Sequence, residues 1–431
     1  MNPKWKRSNT LESDKQFFAQ VDKDGRLVLP LEVAARYGLA SGDRLPLAEG
    51  AAGLRLLRPS RLSKLYIEPT NQCNLDCRTC MRNVWEEPLG MMSDAVFDII
   101  IEGLQAFSLP PTVFFGGFGE PLFHPRIVDM VRRVKELGAR VELITNGTLL
   151  TKELSKQLAK TGIDVIWVSL DGATAESYAD IRLGAELPKV VENLGYLYDA
   201  IRAEGSILRS PCGALPIFRT ELGIEFVAMK RNIADLPAVL ELGKRFDARR
   251  FIITNVLPYT KEMSEQALYH YMQRTGNSYP QLSLPRMQDT GIPEEMIARE
   301  THAMNVSRAG CDAESPRDRC PFIESGAGAV SWDGNLSPCL PLMHRHISYL
   351  VCYQRYSRRY VVGNVMEKSL YELWNNPEHI AFRERVQSFD FAPCTSCGGC
   401  ELSESNEEDC AGNPFPTCGG CLWAQGLIQC P

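Results

Sequence analysis

The stretch Leu65-Tyr66-Ile67-Glu68-Pro69-Thr70-Asn71-Gln72-Cys73-Asn74-Leu75-Asp76-Cys77-Arg78-Thr79-Cys80-Met81 decides how the rest of the chain reads. A short apolar, β-type run ends in a loop holding three cysteines at C-x3-C-x2-C spacing. Three thiolates on one compact loop can hold three irons of a [4Fe-4S] cube and leave the fourth iron without a protein ligand. An open iron can bind a small molecule and pass it an electron. The alternative is a structural zinc site, which would normally want four ligands in pairs.

Outward from this loop the chain alternates strand and helix. Ser93 caps a helix with apolar Val96, Phe97, Ile100, Ile101 and Leu104 at helical spacing. Thr112–Phe115 reads as a strand running into Gly116-Gly117-Phe118-Gly119-Glu120-Pro121, and a helix follows from Arg126 to Leu137. Arg140–Ile144 is a strand ending in Thr145-Asn146-Gly147, Thr151 opens a helix that stops at Gly162, and Asp164–Leu170 is a strand. Helical sequence continues to Ala203. Strands at Leu222–Ala228 and Arg250–Val256 flank a helix at 234–245. Six strands alternating with helices predict an α/β fold with a parallel sheet and right-handed crossovers. Over 63–257 this is a partial (β/α)6 TIM-type barrel, with its working residues at the C-terminal strand ends.

Composition sets the class. The chain has 431 residues, 44% hydrophobic and 23% charged, with a net charge of −6. That balance is ordinary for a globular protein and gives no support for bulk nucleic-acid affinity. No apolar run has membrane-spanning length, and no apolar stretch follows the basic residues near Met1. A cytoplasmic protein is expected. Of 15 cysteines, three lie at 73–80 and eleven between Cys311 and Cys430, leaving Cys212 alone. Dense cysteine in a reducing compartment signals metal or redox chemistry.

The loop spacing resembles the signature of radical S-adenosylmethionine (SAM) enzymes. In that family the open iron takes the amino and carboxylate groups of SAM, and reductive cleavage gives a 5′-deoxyadenosyl radical. The resemblance makes Cys73, Cys77 and Cys80 the catalytic cluster ligands. It extends to the loops after successive strands. Gly117, Gly119 and Glu120 resemble the motif that receives the SAM amino group. Ser169 and Asp171, two apart on one strand face, resemble the pair near the SAM ribose. Arg182 could form a bidentate pair with the SAM carboxylate, and Asn146 is a further candidate. Taken singly, each has a plain structural reading as a helix-terminal acid, a turn cap or a solvated helix face. Their order behind the cysteine loop favours the joint reading.

Residues 311–431 resemble the SPASM extension, which usually holds two auxiliary [4Fe-4S] clusters. The residues that carry this are Cys320, then Gly334 with four residues between it and Cys339, Cys394-x2-Cys397-x2-Cys400, Cys410, Cys418-x2-Cys421 and Cys430. All nine of these cysteines are candidate metal ligands, Cys311 and Cys352 are the least motif-like, and a four-thiolate zinc ribbon is the alternative. The acidic stretch Glu401–Asp409 reads as a solvated loop, and a helix is predicted near 369–387. Residues 258–310 read as a connecting segment with short helices, and 1–16 as a flexible N-terminus.

Residues 17–59 resemble the swapped-hairpin domain of AbrB-like regulators: a strand, an Asp24-Gly25 turn, a second strand, and a helix from Leu31 that stops at Gly38. In that family the domain dimerises and often binds DNA. Here Lys23, Arg26, Arg36, Arg44, Arg55 and Arg58 face Asp22, Asp24, Glu32, Asp43 and Glu49. Such a balance makes a poor phosphate-binding face, so docking or homodimer formation is expected rather than DNA binding.

One departure narrows the reaction. Leu340-Pro341 follows Cys339, where sulfatase-maturing relatives carry an acid. The run Asn406-Glu407-Glu408-Asp409-Cys410 through Cys418-Gly419-Gly420-Cys421-Leu422-Trp423-Ala424-Gln425-Gly426, with Asn83-Val84-Trp85, resembles radical SAM maturases associated with tungsten-cofactor oxidoreductases of the aldehyde:ferredoxin type. That implies a partner oxidoreductase or its cofactor as substrate, and ferredoxin or flavodoxin as electron donor. Two other readings remain: a maturase of a small ribosomal peptide, and an iron-sulfur redox-sensing DNA-binding regulator.

Overall fold

A computed structural model of the chain describes residues 19–36, 47–50, 53–56, 61–210, 213–217, 219–272, 281–283, 305–308, 318–350, 353–395 and 400–431. The chain divides into two compact units, Met1–Ser60 and Arg61–Pro431.

The larger unit is built on one ten-stranded sheet. Six parallel strands are the predicted ones: β1 (Lys64–Ile67), β2 (Thr112–Phe115), β3 (Val141–Thr145), β4 (Val165–Ser169), β5 (Glu221–Ala228) and β6 (Arg250–Asn255). Each neighbours the next in sequence, as right-handed β/α units require. Helices α1 (Asp94–Gln105), α2 (Ile127–Glu136), α3 (Lys152–Lys160), α4 (Ala175–Ile181), α5 (Leu187–Ala203) and α6 (Leu236–Arg245) form the crossovers. Every residue of β4 is buried, which is why parallel strands read as unbroken apolar runs. Ser93 and Thr151 cap α1 and α3 as expected, each accepting from a backbone N–H three residues on. Ile67, Phe115, Val141, Leu143 and Ile166 meet Ile100, Val131 and Leu158 of the helices in one core. Burying a side chain such as Phe115 contributes about 2–3 kcal/mol.

The sheet extends beyond the predicted barrel at both edges. β7 (Asn305–Arg308) pairs parallel with β6, and β8 (Ala327–Val330) pairs parallel with β1. β9 (Asn335–Ser337) and β10 (Gly363–Asn364) continue it antiparallel. The cysteine-rich region is therefore bonded into the barrel sheet, covering an edge that would otherwise expose unpaired backbone groups.

Two expectations are refined. Among the described residues of 258–310 there is a short helix, Lys261–Gln266, as expected, and also β7 and a pairing of His270–Met272 with Gln281–Ser283. Strand formation there depends on partners distant in sequence, so local periodicity does not reveal it. The helix ends at Ala203 as expected, and a hairpin of Ser206–Ser210 and Gly213–Ile217 follows it before β5. The helix expected near 369–387 is two helices, Leu370–Trp374 and Pro377–Ser388. Pro377 cannot continue a helix through its nitrogen, and the Asn376 side chain caps the new one by accepting from Glu378 N.

In the smaller unit Gln20–Val21 pairs with Leu27–Val28, with Asp22 Oδ1 accepting from Asp24 N and Arg26 N and Gly25 at φ +77°. Helix Leu31–Arg36 follows, and Leu47–Gly50 pairs with Gly53–Leu56. The predicted first hairpin is present. The expected helix stop at Gly38 and the flexible residues 1–16 lie outside the described residues. Val21, Leu27, Val28 and Leu31 are exposed apolar side chains.

Candidate active site

A cavity of about 270 Å³ opens at the C-terminal ends of the barrel strands. Cys73, Cys77 and Cys80 line it, together with Gly117, Gly119, Glu120, Asn146, Ser169 and Arg182. Ten of the residues singled out from sequence thus fall in two groups: these nine on the cavity, and Asp171 behind it.

The cysteine loop is clamped to the strand ends. Asp76 N donates to Leu183 O and Arg78 N to Ile181 O. Three N–H groups are aimed at sulfur: Leu75 N (3.4 Å) and Asn146 Nδ2 (3.7 Å) at Cys73 Sγ, and Arg82 Nε (3.4 Å) at Cys80 Sγ. Burial raises the Cys73 thiol and pushes Cys77 up to about 11, although Arg182 opposes the latter. Free thiolates are costly here. A cationic metal removes that cost, and the N–H groups stabilise sulfur charge, so the residues fit a cluster held by three thiolates.

Gly119 and Gly117 serve the loop itself. A Cβ on Gly119 would lie 2.2 Å from Thr70 O, and one on Gly117, at φ +137°, would strike the Glu68 side chain. Their missing side chains let Glu68 and the 70–72 backbone pack close, while both glycines also line the cavity.

Glu120 is buried, with Oε1 accepting from Leu122 N and Oε2 from Asn146 N at 2.7 Å. Burial raises its pKa against these hydrogen bonds. Its carboxylate reaches the cavity and could receive a cationic amine. Asn146 also donates to Asn74 Oδ1 at 3.0 Å, so it locks the cysteine loop as well as lining the cavity.

Ser169 and Asp171 play different parts. Ser169 Oγ donates to Glu225 Oε2 at 3.2 Å, within the cavity wall. Asp171 is fully buried, and its Oδ2 accepts from Arg182 Nε (2.9 Å) and Nη2 (2.7 Å). Two nitrogens of Arg182 thus converge on one oxygen of Asp171, which positions the guanidinium at the cavity wall, while Asp171 Oδ1 accepts from Val227 N.

Sequence reasoning passed over Glu225, Glu68 and His344. Glu225 lines the cavity, and burial with the nearby Asp171 charge pushes it up to about 7. A carboxylate in the middle of the otherwise apolar run Leu222–Ala228 is its visible signal. Glu68, at the end of β1, is fully buried; Oε1 accepts from Phe118 N and Oε2 bonds His344 Nε2 at 2.8 Å. His344 Nδ1 faces Glu87 at 3.4 Å, and Trp85 packs against the imidazole. This cluster ties the glycine loop to the cysteine-rich region.

The cluster predicts a pH dependence. Burial alone would lower the His344 pKa, but Glu68 and Glu87 outweigh it and raise it from 6.5 to about 9. Its stabilising contribution is complete below pH 6.5 and is lost as pH rises through about 9. Burial opposes but does not prevent the lowering of Glu87 from 4.5 to about 2 by His344, the Arg345 N–H and Arg359, so that contribution is complete above pH 4.5 and is lost as pH falls through about 2. Urea unfolding at pH 6 and pH 10 should show a loss of about 3 kcal/mol at the higher pH. His344→Gln should remove most of that difference; a variant with the parent's pH profile would refute the assignment.

Among the remaining cysteines, Cys320, Cys339, Cys418 and Cys421 share one neighbourhood. Burial raises each thiol, to about 12 for Cys320; Cys339 then feels Cys320, Cys421 and Cys418, and Cys418 feels Cys421 and Cys320. Cys320 and Cys339 are buried and Cys418 and Cys421 half-buried, and as thiol donors the four are candidates for iron-sulfur ligation. Cys394 is buried, and its charge acts on buried Arg355; Cys400 and Cys410 are exposed. Cys430 lines the cavity beside the first three cysteines. Cys397 lies outside the described residues, as do Cys212, Cys311 and Cys352. Asp409 is no solvated acid: it is buried and accepts from Ala392 N, Ala411 N and Asn413 N, organising the loop between the cysteine pairs.

The radical SAM superfamily profile matches residues 67–209, and the SPASM iron-sulfur cluster-binding domain matches 320–401. The chain is 29% identical over 372 residues to the tungsten-containing aldehyde ferredoxin oxidoreductase cofactor-modifying protein of Pyrococcus furiosus, covering 85% of this chain and 96% of that protein. It is 24% identical to the Fe-coproporphyrin III synthase of Methanosarcina barkeri, over 71% of this chain and 72% of that one. The fold matches anSMEcpe with bound AdoMet and a Cp18Cys peptide (TM-score 0.52, 17% identity, 84% of this chain and 95% of that chain). It also matches Streptococcus suis SuiB bound to precursor peptide SuiA (TM-score 0.51, 16% identity, 79% and 70%).

Proposed function

We infer, from the premise that this chain is a radical SAM enzyme with a SPASM iron-sulfur domain, that it matures a tungsten-containing oxidoreductase of the aldehyde:ferredoxin type, acting on the protein or its cofactor. Similarity along almost the full length of the Pyrococcus furiosus cofactor-modifying protein supports this target. The observation that carries the chemistry is the convergence of Cys73, Cys77, Cys80, Glu120 and Arg182 on one cavity.

When bound, an iron-sulfur cluster supplies the electron for reductive SAM cleavage, and SAM supplies the oxidising radical. The chain's residues do the rest. Cys73, Cys77 and Cys80 would hold three irons. Glu120 would receive the SAM amine, while Arg182, fixed by Asp171, presents positive charge to the carboxylate. Ser169 and Glu225 present hydrogen-bonding groups for the ribose. Two auxiliary clusters in the SPASM region would ligate substrate or carry an electron away, and ferredoxin or flavodoxin would deliver electrons. Mass spectrometry of the co-expressed oxidoreductase and its extracted cofactor, with and without this chain, tests the target. Unchanged masses in both would reject it, and modification of a small ribosomal peptide instead would favour the second reading. Among the described residues no helix is long and apolar enough to cross a membrane.

The AbrB-like unit is proposed as a docking or dimerisation module. Exposed Val21, Leu27, Val28 and Leu31 give it an apolar surface suited to a second copy or to the partner. Deleting residues 1–59 should leave SAM cleavage within about twofold, since surface-remote changes are close to neutral. The deletion should weaken dimer formation or partner binding, read by light scattering and pull-down. Sequence-specific DNA binding by the full chain, lost on deletion, would instead favour the regulator reading.

A further inference from the structure

The segment from Trp423 to Pro431 is hydrogen-bonded to both the first and the sixth barrel strands. At one end Asn255 Nδ2 donates to Leu427 O (2.9 Å) and Gln429 N to Thr254 Oγ1 (3.0 Å), at the C-terminal end of β6. At the other, Lys64 Nζ (2.6 Å) and Tyr66 Oη (2.9 Å) of β1 both donate to Pro431 O. Trp423, Ile428, Gln429 and Cys430 line the cavity that also holds Cys73, Cys77 and Cys80.

We propose that this segment is the substrate-facing wall of the active site, and that the Cys430 thiol meets substrate instead of an auxiliary iron. The proposal rests on the maturase reading and deepens it. Its first support is position, since Cys430 borders the same cavity as the catalytic cysteines. Its second is local bonding, since Trp423 Nε1 donates to Cys430 Sγ at 3.3 Å and fixes the thiol at the wall. Cys320, Cys339, Cys418 and Cys421, by contrast, do not line this cavity.

The wall also indicates what it accepts. The two cations lining the cavity are committed, Arg182 to Asp171 and Arg82 to Cys80 Sγ and Leu75 O. Thr254, Asn255, Leu257, Tyr259, Ile428 and Gln429 complete an uncharged surface. With Arg182 assigned to the SAM carboxylate and Arg82 held by the cysteine loop, a phosphate-bearing group beside SAM would find no further cation among the described lining residues. The wall suits a compact, uncharged group such as a neutral amino-acid side chain.

The test uses the full-length, anaerobically reconstituted protein with the partner oxidoreductase. Cys430→Ala should keep the parent's iron content and its auxiliary-cluster spectrum. The 5′-deoxyadenosine formed per modified partner should rise about tenfold, because a displaced substrate couples poorly to the radical. Ile428→Phe, which changes the wall without touching a thiol, should shift the ratio in the same direction. Loss of about four irons in Cys430→Ala, one cube's worth, would overturn the proposal. So would full iron with an unchanged ratio in both variants. If the parent cleaves SAM but leaves this oxidoreductase unmodified, the choice of partner fails separately, and the iron content of Cys430→Ala still decides whether its thiol is an iron ligand.

Discussion

Changing Cys73, Cys77 and Cys80 together to alanine should abolish 5′-deoxyadenosine formation from SAM. The three thiols border one cavity and have nearby N–H donors aimed at two of their sulfurs. No other thiol on that cavity except Cys430 could replace them. Without thiolates the open-iron cluster has no ligands, and the reductive step has no route. Enzymatic accelerations commonly exceed about a millionfold, so the loss should reach the detection limit. The variant should also lose about four irons, the content of one cube. Backbone clamps from Asp76 and Arg78 to the 181–183 segment do not use the thiols, so the barrel should still fold. Anaerobic chromatography of the SAM products and iron analysis check both points. Cleavage at the parent rate would refute the catalytic assignment.

Changing Cys418 and Cys421 to alanine should produce the second large effect. These cysteines share a buried neighbourhood with Cys320 and Cys339. Three cubes would give about twelve irons in the parent and about eight in the first-cluster triple variant. The eight should give [4Fe-4S] spectra that do not respond to SAM, since full ligation leaves no open iron. Removing Cys418 and Cys421 on that background should lower iron further and reduce partner modification in the otherwise intact enzyme. Protease resistance should fall around residues 400–431, because metal binding contributes folding free energy to a cysteine-rich segment. About four irons in the parent, with stoichiometric zinc retained in the first-cluster variant, would overturn the auxiliary-cluster reading and favour the zinc ribbon.

The sequence by itself determined the six central strands, their helices, the α1 and α3 caps and the loops that would meet. Those features are local: apolar runs, capping residues and strand-end motifs carry their signal within a few residues. It also brought Cys73, Cys77, Cys80, Glu120, Asn146, Ser169 and Arg182 to one end of the barrel, because parallel β/α order fixes which strand ends are adjacent. Tertiary structure decided what each group touches. Only there does Arg182 find Asp171, Gly119 make room for the cysteine loop, and Glu68 reach His344 across 276 residues. Only there do β7 and β8 extend the sheet, and only there does Cys430 come to line the same cavity as Cys73, Cys77 and Cys80. Such contacts join groups far apart along the chain, and they form when burial makes unpaired polar groups and open strand edges costly. No local pattern encodes which distant partner relieves that cost.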